Sequence, residues 1–355
     1  MLVERSLKKL QNQLQNQIKT SAPGKVILFG EHSVVYNGLG VATSVDKRCF
    51  ITVTPNKENN ILIDSRGLNL KEALTENELF KLFDSIEKLK KENNFDEIKE
   101  IGKKDKLNAS FFVIANLMKK YSFKPAKILI ETEVPKNLGS SSSIFSAVAL
   151  AVSNFLGKDL SKKEISDFTY EGDIIAHGGT PSGIDNSIVT YGGYLQYKKS
   201  EGIKPLNINF ELPLIFVDSA EPAKTGDTVP YVRKQREENK KFVDQILERL
   251  NNISLQSLGA LKEQNLELVG ELMLEYYLEL KKLNISTEKL DRIIEIAAKH
   301  KVLGAKPTGG WGGGCCIVLV KDQKQANDLM RIYKENGFNS FQAKTGVEGV
   351  KEIEI

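Results

Sequence analysis

The sequence predicts an α+β fold in two domains, and three observations support this. The chain has 355 residues, which is enough for about two domains of ordinary size. Hydrophobic residues make up 41% of the chain and charged residues 27%, so each domain can bury a core. Strand-like and helix-like segments mix without the regular alternation of a parallel α/β fold. We place one domain at residues 1–205 and the other at 206–355.

Charge and cysteine content exclude several classes of protein. The net charge of +4 comes from 50 basic and 46 acidic residues, so no nucleic-acid or membrane partner is expected. The three cysteines do not have the spacing of a disulfide scaffold or a structural zinc site. No apolar run reaches the roughly 18 residues that a membrane span needs. We therefore expect a cytoplasmic protein.

The first domain is predicted to begin with an amphipathic helix over 1–19 and a short buried strand at 26–29. Further β-branched or apolar runs predict strands at 48–54, 61–64 and 127–132. Residues 71–120 are rich in lysine and have helical spacing, which indicates helices with a solvated face. An apolar helix is predicted at 144–156, and Ser161 to Glu164 fits a capping box that begins the next helix.

The second domain is predicted to open with a strand at 214–218, directly after Pro213. Two charged amphipathic helices follow at 231–251 and 258–283. A third helix begins at Ser286 or Thr287, and a strand at 316–320 comes after a glycine-rich segment.

A serine-rich turn, Leu138-Gly139 followed by Ser140 to Ser143, lies between a predicted strand and a predicted helix. Helix N-termini present free N–H groups and bind phosphate, and a glycine lets the backbone come close to an anion. The serine hydroxyls could donate to phosphate or coordinate Mg²⁺. A run of serines can equally well serve only as a helix cap. Taken alone, the turn does not decide between these two interpretations.

Two more clusters carry polar chemistry. The segment "KPTGGWGGGC" at 306–315 predicts a flexible loop that is costly to order. Such a loop suits backbone that must pass close to another group, but it can also be only a wide turn. The segment "HGGTPSGIDN" at 177–186 delivers Asp185 at the end of a tight loop, with Glu171 and Asp173 upstream. A single Asp in a turn commonly forms an Asx-turn. Several carboxylates near a phosphate-binding turn favour a metal site and a general base.

Other phosphate-binding signatures do not occur in the sequence. It contains no G-x-x-x-x-G-K-[ST], no protein-kinase H-R-D or D-F-G set, and no G-x-G-x-x-G followed by its acidic residue. These gaps exclude the P-loop, protein-kinase and dinucleotide-binding classes.

An N-terminal strand motif, the serine-rich turn and the glycine-rich loop occur in that order along the chain and resemble the three motifs of the GHMP kinases, a family of small-molecule kinases. The N-terminal motif is "PGKVILFGEHSVVY", and the resemblance extends from residue 21 to about residue 320. Within the family, this motif and "PSGIDN" at 181–186 are most similar to the members that phosphorylate mevalonate. The resemblance implies an N-terminal domain like domain 2 of ribosomal protein S5 and a ferredoxin-like C-terminal domain. It also implies ATP and Mg²⁺ as cofactors, the C5 hydroxyl of mevalonate as acceptor, and a monomer or homodimer.

The resemblance implies a role for each matching residue. Asp185 matches the catalytic base, and Lys25 matches the lysine beside that aspartate and the reacting hydroxyl. Ser141 and Asp173 match the metal-binding positions. The remaining positions match groups that line the ATP phosphates (Leu138, Gly139, Ser140, Ser141, Ser142), contact the acceptor (Lys25, Glu31, His32, Asp185, Thr225) or form the glycine-rich C-terminal loop (Thr308, Gly309, Gly310).

The sequence departs from the family pattern at three places. The phosphate loop is two residues short before Leu138, so a shifted register would put Ser142 and Ser143 in place of Ser140 and Ser141. Asp173 stands where the family has glutamate, and Glu171 could contribute instead. Trp311 replaces a loop glycine and could stack on a ligand or cover the loop from outside. Two alternative functions follow: another GHMP kinase with a phosphorylated, amino-acid or sugar acceptor, or a non-catalytic ligand-binding member.

Overall fold

The computed structural model describes residues 17–179, 181–223 and 225–354. The strands are β1 (Ile18–Phe29), β2 (Gly40–Pro55), β3 (Asn60–Ser65), β4 (Leu70–Thr75), β5 (Ala126–Thr132), β6 (Tyr194–Lys198), β7 (Gly202–Leu206), β8 (Leu214–Asp218), β9 (Gly304–Thr308), β10 (Cys315–Leu319), β11 (Asn339–Gln342) and β12 (Lys351–Glu352). The helices are α1 (Glu76–Lys91), α2 (Phe95–Lys104), α3 (Asn108–Lys120), α4 (Ser140–Phe155), α5 (Lys162–His177), α6 (Ile184–Tyr191), α7 (Thr225–Glu238), α8 (Lys240–Lys262), α9 (Leu266–Lys281), α10 (Glu288–Lys299) and α11 (Gln323–Glu335). A short 3₁₀ helix, Ser33–Tyr36, follows β1.

The first sheet has eight strands in the order β12-β1-β2-β5-β3-β4, and the hairpin β6–β7 joins β2. All neighbours are antiparallel except β3 and β5, which run parallel. The apolar helix α4 packs on β1 and β2, and α5 and α3 pack on α4. This arrangement brings the serine-rich turn, at the start of α4, next to β1.

The second sheet has four antiparallel strands in the order β11-β8-β10-β9. Helices α9, α10 and α11 pack on it. One continuous apolar core, in which side chains such as Phe29, Phe112 and Phe216 are fully buried, extends through both sheets. The α+β class predicted from the sequence is confirmed.

The C-terminal segment returns to the first sheet. Strand β12 pairs with β1 in the register Thr20 to Glu352. The Arg48 guanidinium also donates to the carbonyls of Glu348 (2.9 Å) and Gly349 (2.8 Å). The boundary at residue 205 stays a prediction, but residues 348–352 lie on the sheet formed by the N-terminal half of the chain.

Several predicted element boundaries were wrong. The helices predicted at 231–251 and 258–283 are three helices, because the chain breaks at Asn239 and again before Asn265. Each of these asparagines accepts a backbone N–H at the start of the following helix, which is the usual function of an N-cap.

Strand β4 occupies the start of the region predicted as helical, and helix begins only at Glu76, where Thr75 and Glu78 form a capping box. The N-terminal helix predicted over 1–19 falls mainly on 1–16, outside the described residues, while Ile18 already belongs to β1. Within the described ranges, we find no helix that combines the length and hydropathy needed to cross a membrane.

Candidate active site

Lys25 lies where β1 meets the serine-rich turn. The pairing of β1 with β2 shifts register between Pro23 and Gly24, just before this lysine. The Lys25 N–H donates to the carbonyl of Leu138 at 2.8 Å, so the backbones of the two segments are joined. The lysine stem passes over Gly139, where an added Cβ would lie 2.6 Å from Lys25 Cγ. Glycine at 139 is therefore required for the lysine to reach past the turn.

This close approach gives a first prediction. We expect Gly139→Ala to lower kcat on the order of 10²-fold, because the new methyl group displaces Lys25 by about 1 Å. Gly157→Ala is the matched control, since Gly157 also has a positive φ (+69°) but no atom lies within 4 Å of its added Cβ. Both variants should lose about 1 kcal/mol of stability from left-handed backbone strain, measured by urea unfolding. Equal kcat values for Gly139→Ala and Gly157→Ala would show that Gly139 is not needed to position Lys25.

Asp185 forms an ion pair with Lys25 although 160 positions separate them in the sequence. Asp185 lies in the first turn of α6. Gly183, with a φ of +92°, is the residue that precedes this helix. The Ser187 hydroxyl donates to the Gly183 carbonyl at 2.6 Å and secures this start. Lys25 Nζ lies 2.8 Å from Asp185 Oδ1, and the side chains are 8% and 29% exposed. The pair therefore lies at a surface that a substrate can reach from one side.

The serine-rich turn begins α4 with Gly139 in the left-handed region, at φ +78°. Ser140 and Ser141 are half-buried in the first turn of the helix. Ser143 has a structural role, because its hydroxyl lies 2.6 Å from the carbonyl of Pro23 and 2.8 Å from that of Gly139. The N-terminus of α4 lies next to the Lys25 side chain, and the N–H groups of a helix N-terminus suit an anion.

Asp173, on α5, is fully buried and faces this turn. Ser142 donates to its Oδ1 at 2.7 Å, and its Oδ2 has no hydrogen-bond partner within the described part of the chain. Burial, together with the negative charge of Asp185, raises the pKa of the Asp173 carboxyl well above its ordinary value. A buried carboxylate oxygen without a partner is costly, so a cation or donor is expected to bind there.

The carboxylate of Asp173 and the nearby serine hydroxyls fit Mg²⁺ as some of its ligands, with the others coming from a bound substrate. Mg²⁺ prefers oxygen ligands and commonly takes one or two from the protein and others from a substrate phosphate. Asp173 and the neighbouring serine hydroxyls are oxygen donors of that kind. Among the described residues, no group of three or more His, Cys, Asp or Glu side chains could hold a metal ion without such help.

The turn of residues 30–33 ends β1 and carries Glu31 and His32, the two residues predicted on the acceptor side. Glu31 forms a buried ion pair with Lys306, while its Oε2 has no partner within the described ranges. His32 adopts a left-handed backbone conformation (φ 60°), and its Nε2 donates to the Gly310 carbonyl at 3.2 Å. Burial lowers the pKa of His32 to about 4. Both side chains are therefore bound to the C-terminal half of the chain.

The glycine-rich loop joins the two halves of the molecule. The Thr308 hydroxyl accepts from the Ile27 N–H at 3.2 Å and donates to the Ile27 carbonyl at 2.8 Å. Gly309 has a φ of +84°, and the Gly310 carbonyl accepts bonds from His32 and Thr228. A Cβ at Gly313 would lie 2.5 Å from the Pro222 carbonyl. The loop glycines therefore allow close packing against neighbouring backbone.

Trp311 occupies neither of the positions considered for it. Its side chain is fully buried rather than outside the loop, and its ring stacks on Tyr277 with centroids 6.0 Å apart. An indole at this depth extends the apolar core beneath the loop, since Trp311 belongs to the main core cluster.

Comparison with known proteins gives the family. The GHMP kinases N terminal domain matches residues 108–193, and the GHMP kinases C terminal domain matches residues 257–339. A mevalonate kinase from Pyrococcus furiosus is 30% identical over 331 residues, which are 89% of this chain and 93% of that protein. The chain belongs to the GHMP kinase family.

Two further comparisons, one of sequence and one of structure, agree with the GHMP kinase fold. A mevalonate kinase from Methanocaldococcus jannaschii is 33% identical over 88% of this chain and 95% of its own length. The crystal structure of the Methanococcus jannaschii mevalonate kinase superposes with a TM-score of 0.77 at 29% identity, covering 92% of this chain and 97% of that one. The predicted two-domain GHMP kinase fold is confirmed.

The structure brings most of the predicted site residues of this GHMP kinase together. Some of them bond to residues other than those that the prediction implied. Ser142, predicted to line the phosphates, is the serine bonded to Asp173. Glu171 forms an ion pair with Lys90. His177 lies 4.0 Å from Asp173, beside the loop that carries Asp185. The side chain of Thr225 lies outside what the structure describes.

Sequence reasoning missed two residues of this GHMP kinase site, Lys306 and Tyr276. Lys306 opens the glycine-rich motif, but nothing in its spacing connects it with Glu31, 275 positions earlier. The Tyr276 hydroxyl is bonded to the backbone of Gly30 and Glu31. Tyr276 lies in an ordinary amphipathic helix, so its sequence context gives no signal of this role.

Proposed function

We propose that this kinase transfers the γ-phosphate of ATP to the C5 hydroxyl of mevalonate and forms 5-phosphomevalonate. The observation that carries the proposal is the Lys25–Asp185 pair at 2.8 Å, beside the serine-rich turn. The relatives from Pyrococcus furiosus and Methanocaldococcus jannaschii are mevalonate kinases, which supports this acceptor.

Phosphoryl transfer depends on positioning and on neutralising charge more than on covalent chemistry. In our proposal Asp185 accepts the proton of the acceptor hydroxyl, and Lys25 stabilises the oxygen as it becomes negative. The ion pair keeps the two side chains adjacent, so that both would contact the oxygen of the acceptor hydroxyl.

The phosphates of ATP would lie over the N-terminus of α4. Leu138, Gly139, Ser140 and Ser141 provide the turn, and its N–H groups and dipole favour negative charge. Because Lys25 is bonded to Leu138 through its own N–H, movement of the phosphate turn would also move the lysine.

Mg²⁺ would be held by Asp173 together with Ser141, the metal serine that the resemblance implies, and by phosphate oxygens. The metal bound there with ATP would offset the negative charge of the phosphate groups. Ser142 orients Asp173 by donating to Oδ1, which leaves Oδ2 free for the metal.

Ser142 therefore has a testable effect on metal affinity. We expect Ser142→Ala to raise the Mg²⁺ concentration for half-maximal rate about tenfold, the usual effect of losing a group that orients a ligand. Ser146→Ala is the matched control, because Ser146 lies one turn further along α4 and bonds to Thr190 at 3.0 Å. Mg²⁺ titration of the initial rate measures the effect. An unchanged Mg²⁺ requirement in Ser142→Ala would contradict the orienting role.

The acceptor would lie beside Glu31 and His32, and the family resemblance implies that Thr225 contacts it as well. Burial lowers the pKa of His32 to about 4, so the side chain is neutral at physiological pH. In our proposal it contributes hydrogen bonds to the acceptor site but no positive charge. A cytoplasmic location and the choice between monomer and homodimer stay predictions of the sequence.

An ATP-coupled assay with separate acceptors tests the proposal. Purified protein with Mg²⁺ and ATP is offered mevalonate, phosphomevalonate, homoserine and galactose, and ADP release is followed. We expect the highest kcat/KM with mevalonate. A higher value with another acceptor would assign a different GHMP substrate. Binding of mevalonate without ADP release would support a non-catalytic member.

A further inference from the structure

The turn of residues 30–33 needs a glycine at position 30 and holds His32 in a backbone conformation that histidine does not favour. Gly30 has a φ of +109°, and an added Cβ would lie 2.4 Å from Gly40 Cα. His32 has a φ of 60° without being glycine or asparagine. Non-glycine residues keep a left-handed conformation only where the surroundings fix it. Groups outside the turn must therefore supply that constraint.

Lys306 supplies one of these constraints. It lies on β9, is fully buried, and pairs its ammonium group with Oε1 of Glu31, which is itself 1% exposed. Glu31 Oε2 is buried and has no hydrogen-bond partner within the described part of the chain. A buried ion pair needs its remaining lone pairs satisfied, so this free oxygen suits a donor group on a bound molecule.

Tyr276 supplies the other constraint. Its hydroxyl accepts from the Gly30 N–H at 3.0 Å and donates to the Glu31 carbonyl at 2.9 Å. Its ring packs edge-on against Phe29 with centroids 5.8 Å apart, and the Lys306 ammonium lies 5.4 Å from the ring centroid. One tyrosine and one lysine of the C-terminal half thus contact both the backbone and the side chain of the turn.

We propose that Lys306 and Tyr276 are positioning residues that fix the turn at 30–33 with Glu31 Oε2 free to accept a hydrogen bond from a hydroxyl of the acceptor. This inference deepens the proposed function and rests on it. The phosphate turn is held differently, by Pro23 and the Lys25 N–H of strand β1 in the N-terminal half. Loss of either positioning residue should therefore weaken binding of the acceptor alcohol and leave binding of ATP nearly unchanged.

Two neighbouring tyrosines provide a matched experiment. Tyr276→Phe removes the hydroxyl that holds the turn, whereas Tyr277→Phe removes one that donates to Asp291 at 2.7 Å, away from the turn. We expect Tyr276→Phe to raise the KM for mevalonate on the order of tenfold, because the hydrogen bonds of the tyrosine hydroxyl to the turn are lost. The KM for ATP should change less than about twofold, and Tyr277→Phe should leave both KM values within the same limit.

Lys306→Met keeps the aliphatic stem and removes the ammonium group. It should raise the KM for mevalonate at least as much as Tyr276→Phe does, again with little change for ATP. Because a buried Glu31 without its partner could prevent folding of this variant, Tyr276→Phe alone is sufficient to decide the proposal. Equal changes in both KM values, or none, in Tyr276→Phe would overturn it.

Hydrogen exchange gives a readout that does not need turnover. Peptides covering residues 26–36 should exchange faster in Tyr276→Phe than in wild type, since the Gly30 N–H loses its acceptor, and Tyr277→Phe should match wild type. A wild-type protein that does not phosphorylate mevalonate refutes the proposed function, while exchange still tests whether Tyr276 fixes the turn. Unchanged exchange in Tyr276→Phe would refute the positioning role even in an active kinase.

Discussion

Asp185→Asn and Lys25→Met are each expected to lower kcat with mevalonate about 10²-fold or more. Asparagine keeps the shape of Asp185 but cannot accept the proton of the acceptor hydroxyl. Methionine keeps the stem that packs over Gly139 but cannot stabilise the developing negative charge. Because each group acts on the same oxygen, the double variant should be far less impaired than the product of the two single effects.

Steady-state rates at saturating ATP and mevalonate measure these effects, and thermal unfolding shows whether the fold survives. Two controls match the chemistry of the changes. Lys19→Met removes a lysine from the other end of β1, and Asp167→Asn removes a surface carboxylate that pairs with Lys163 at 2.7 Å. Both controls should keep the kcat of the wild type. Near-normal turnover in Asp185→Asn would exclude Asp185 as the base.

A pH-dependent loss of stability is the second large effect, and it originates at His32. Burial lowers the pKa of folded His32 to about 4, whereas an unfolded histidine has a pKa of about 6.5. Above pH 6.5 both states are neutral at this residue. As the pH falls from about 6.5 to 4, the unfolded chain binds a proton that the folded protein does not, so unfolding is favoured.

The difference of about 2.5 pKa units corresponds to about 3 kcal/mol of unfolding free energy, lost progressively across that range. His32→Asn should abolish this part of the pH dependence, because asparagine tolerates a positive φ and does not titrate. Urea unfolding at pH 7.5 and 4.5 gives the free energy for each protein. The difference between wild type and variant isolates His32 from the carboxyl groups that titrate in the same range.

His300→Asn is the control, because this exposed histidine caps the end of α10 at the surface. It should leave most of the wild type's loss of stability between pH 7.5 and 4.5 in place, because the buried His32 is still present. If His32→Asn lost as much stability between pH 7.5 and 4.5 as the wild type does, the buried imidazole would not be the cause.

The sequence predicted the parts of the site whose chemistry lies in local motifs. The fold class followed from the length, the composition and the order of strand-like and helix-like segments, whereas the phosphate turn and Asp185 in "PSGIDN" were assigned through the family resemblance, and their roles stay predictions. The proximity of Lys25 and Asp185 followed from the family resemblance. The structure places these two residues in an ion pair, while their catalytic roles stay predictions.

Contacts that depend on tertiary packing were not predictable in this way. The bond of Ser142 to Asp173 depends on how α4 turns against α5, and four consecutive serines leave that rotation undetermined. Burial of Trp311 depends on the position of Tyr277 beneath the loop. The helix breaks at Asn239 and Asn265 were missed because the amphipathic spacing continues across both of them.

The pairing of β12 with β1 has a consequence for synthesis of the chain. Strand β1 carries Lys25, yet one of its edges is covered only when residues 351 and 352 have left the ribosome. Until then that edge presents unpaired N–H and C=O groups, which favour association with other chains. An isolated fragment of residues 1–205 would keep this exposed edge permanently, and we expect it to aggregate where the full chain does not.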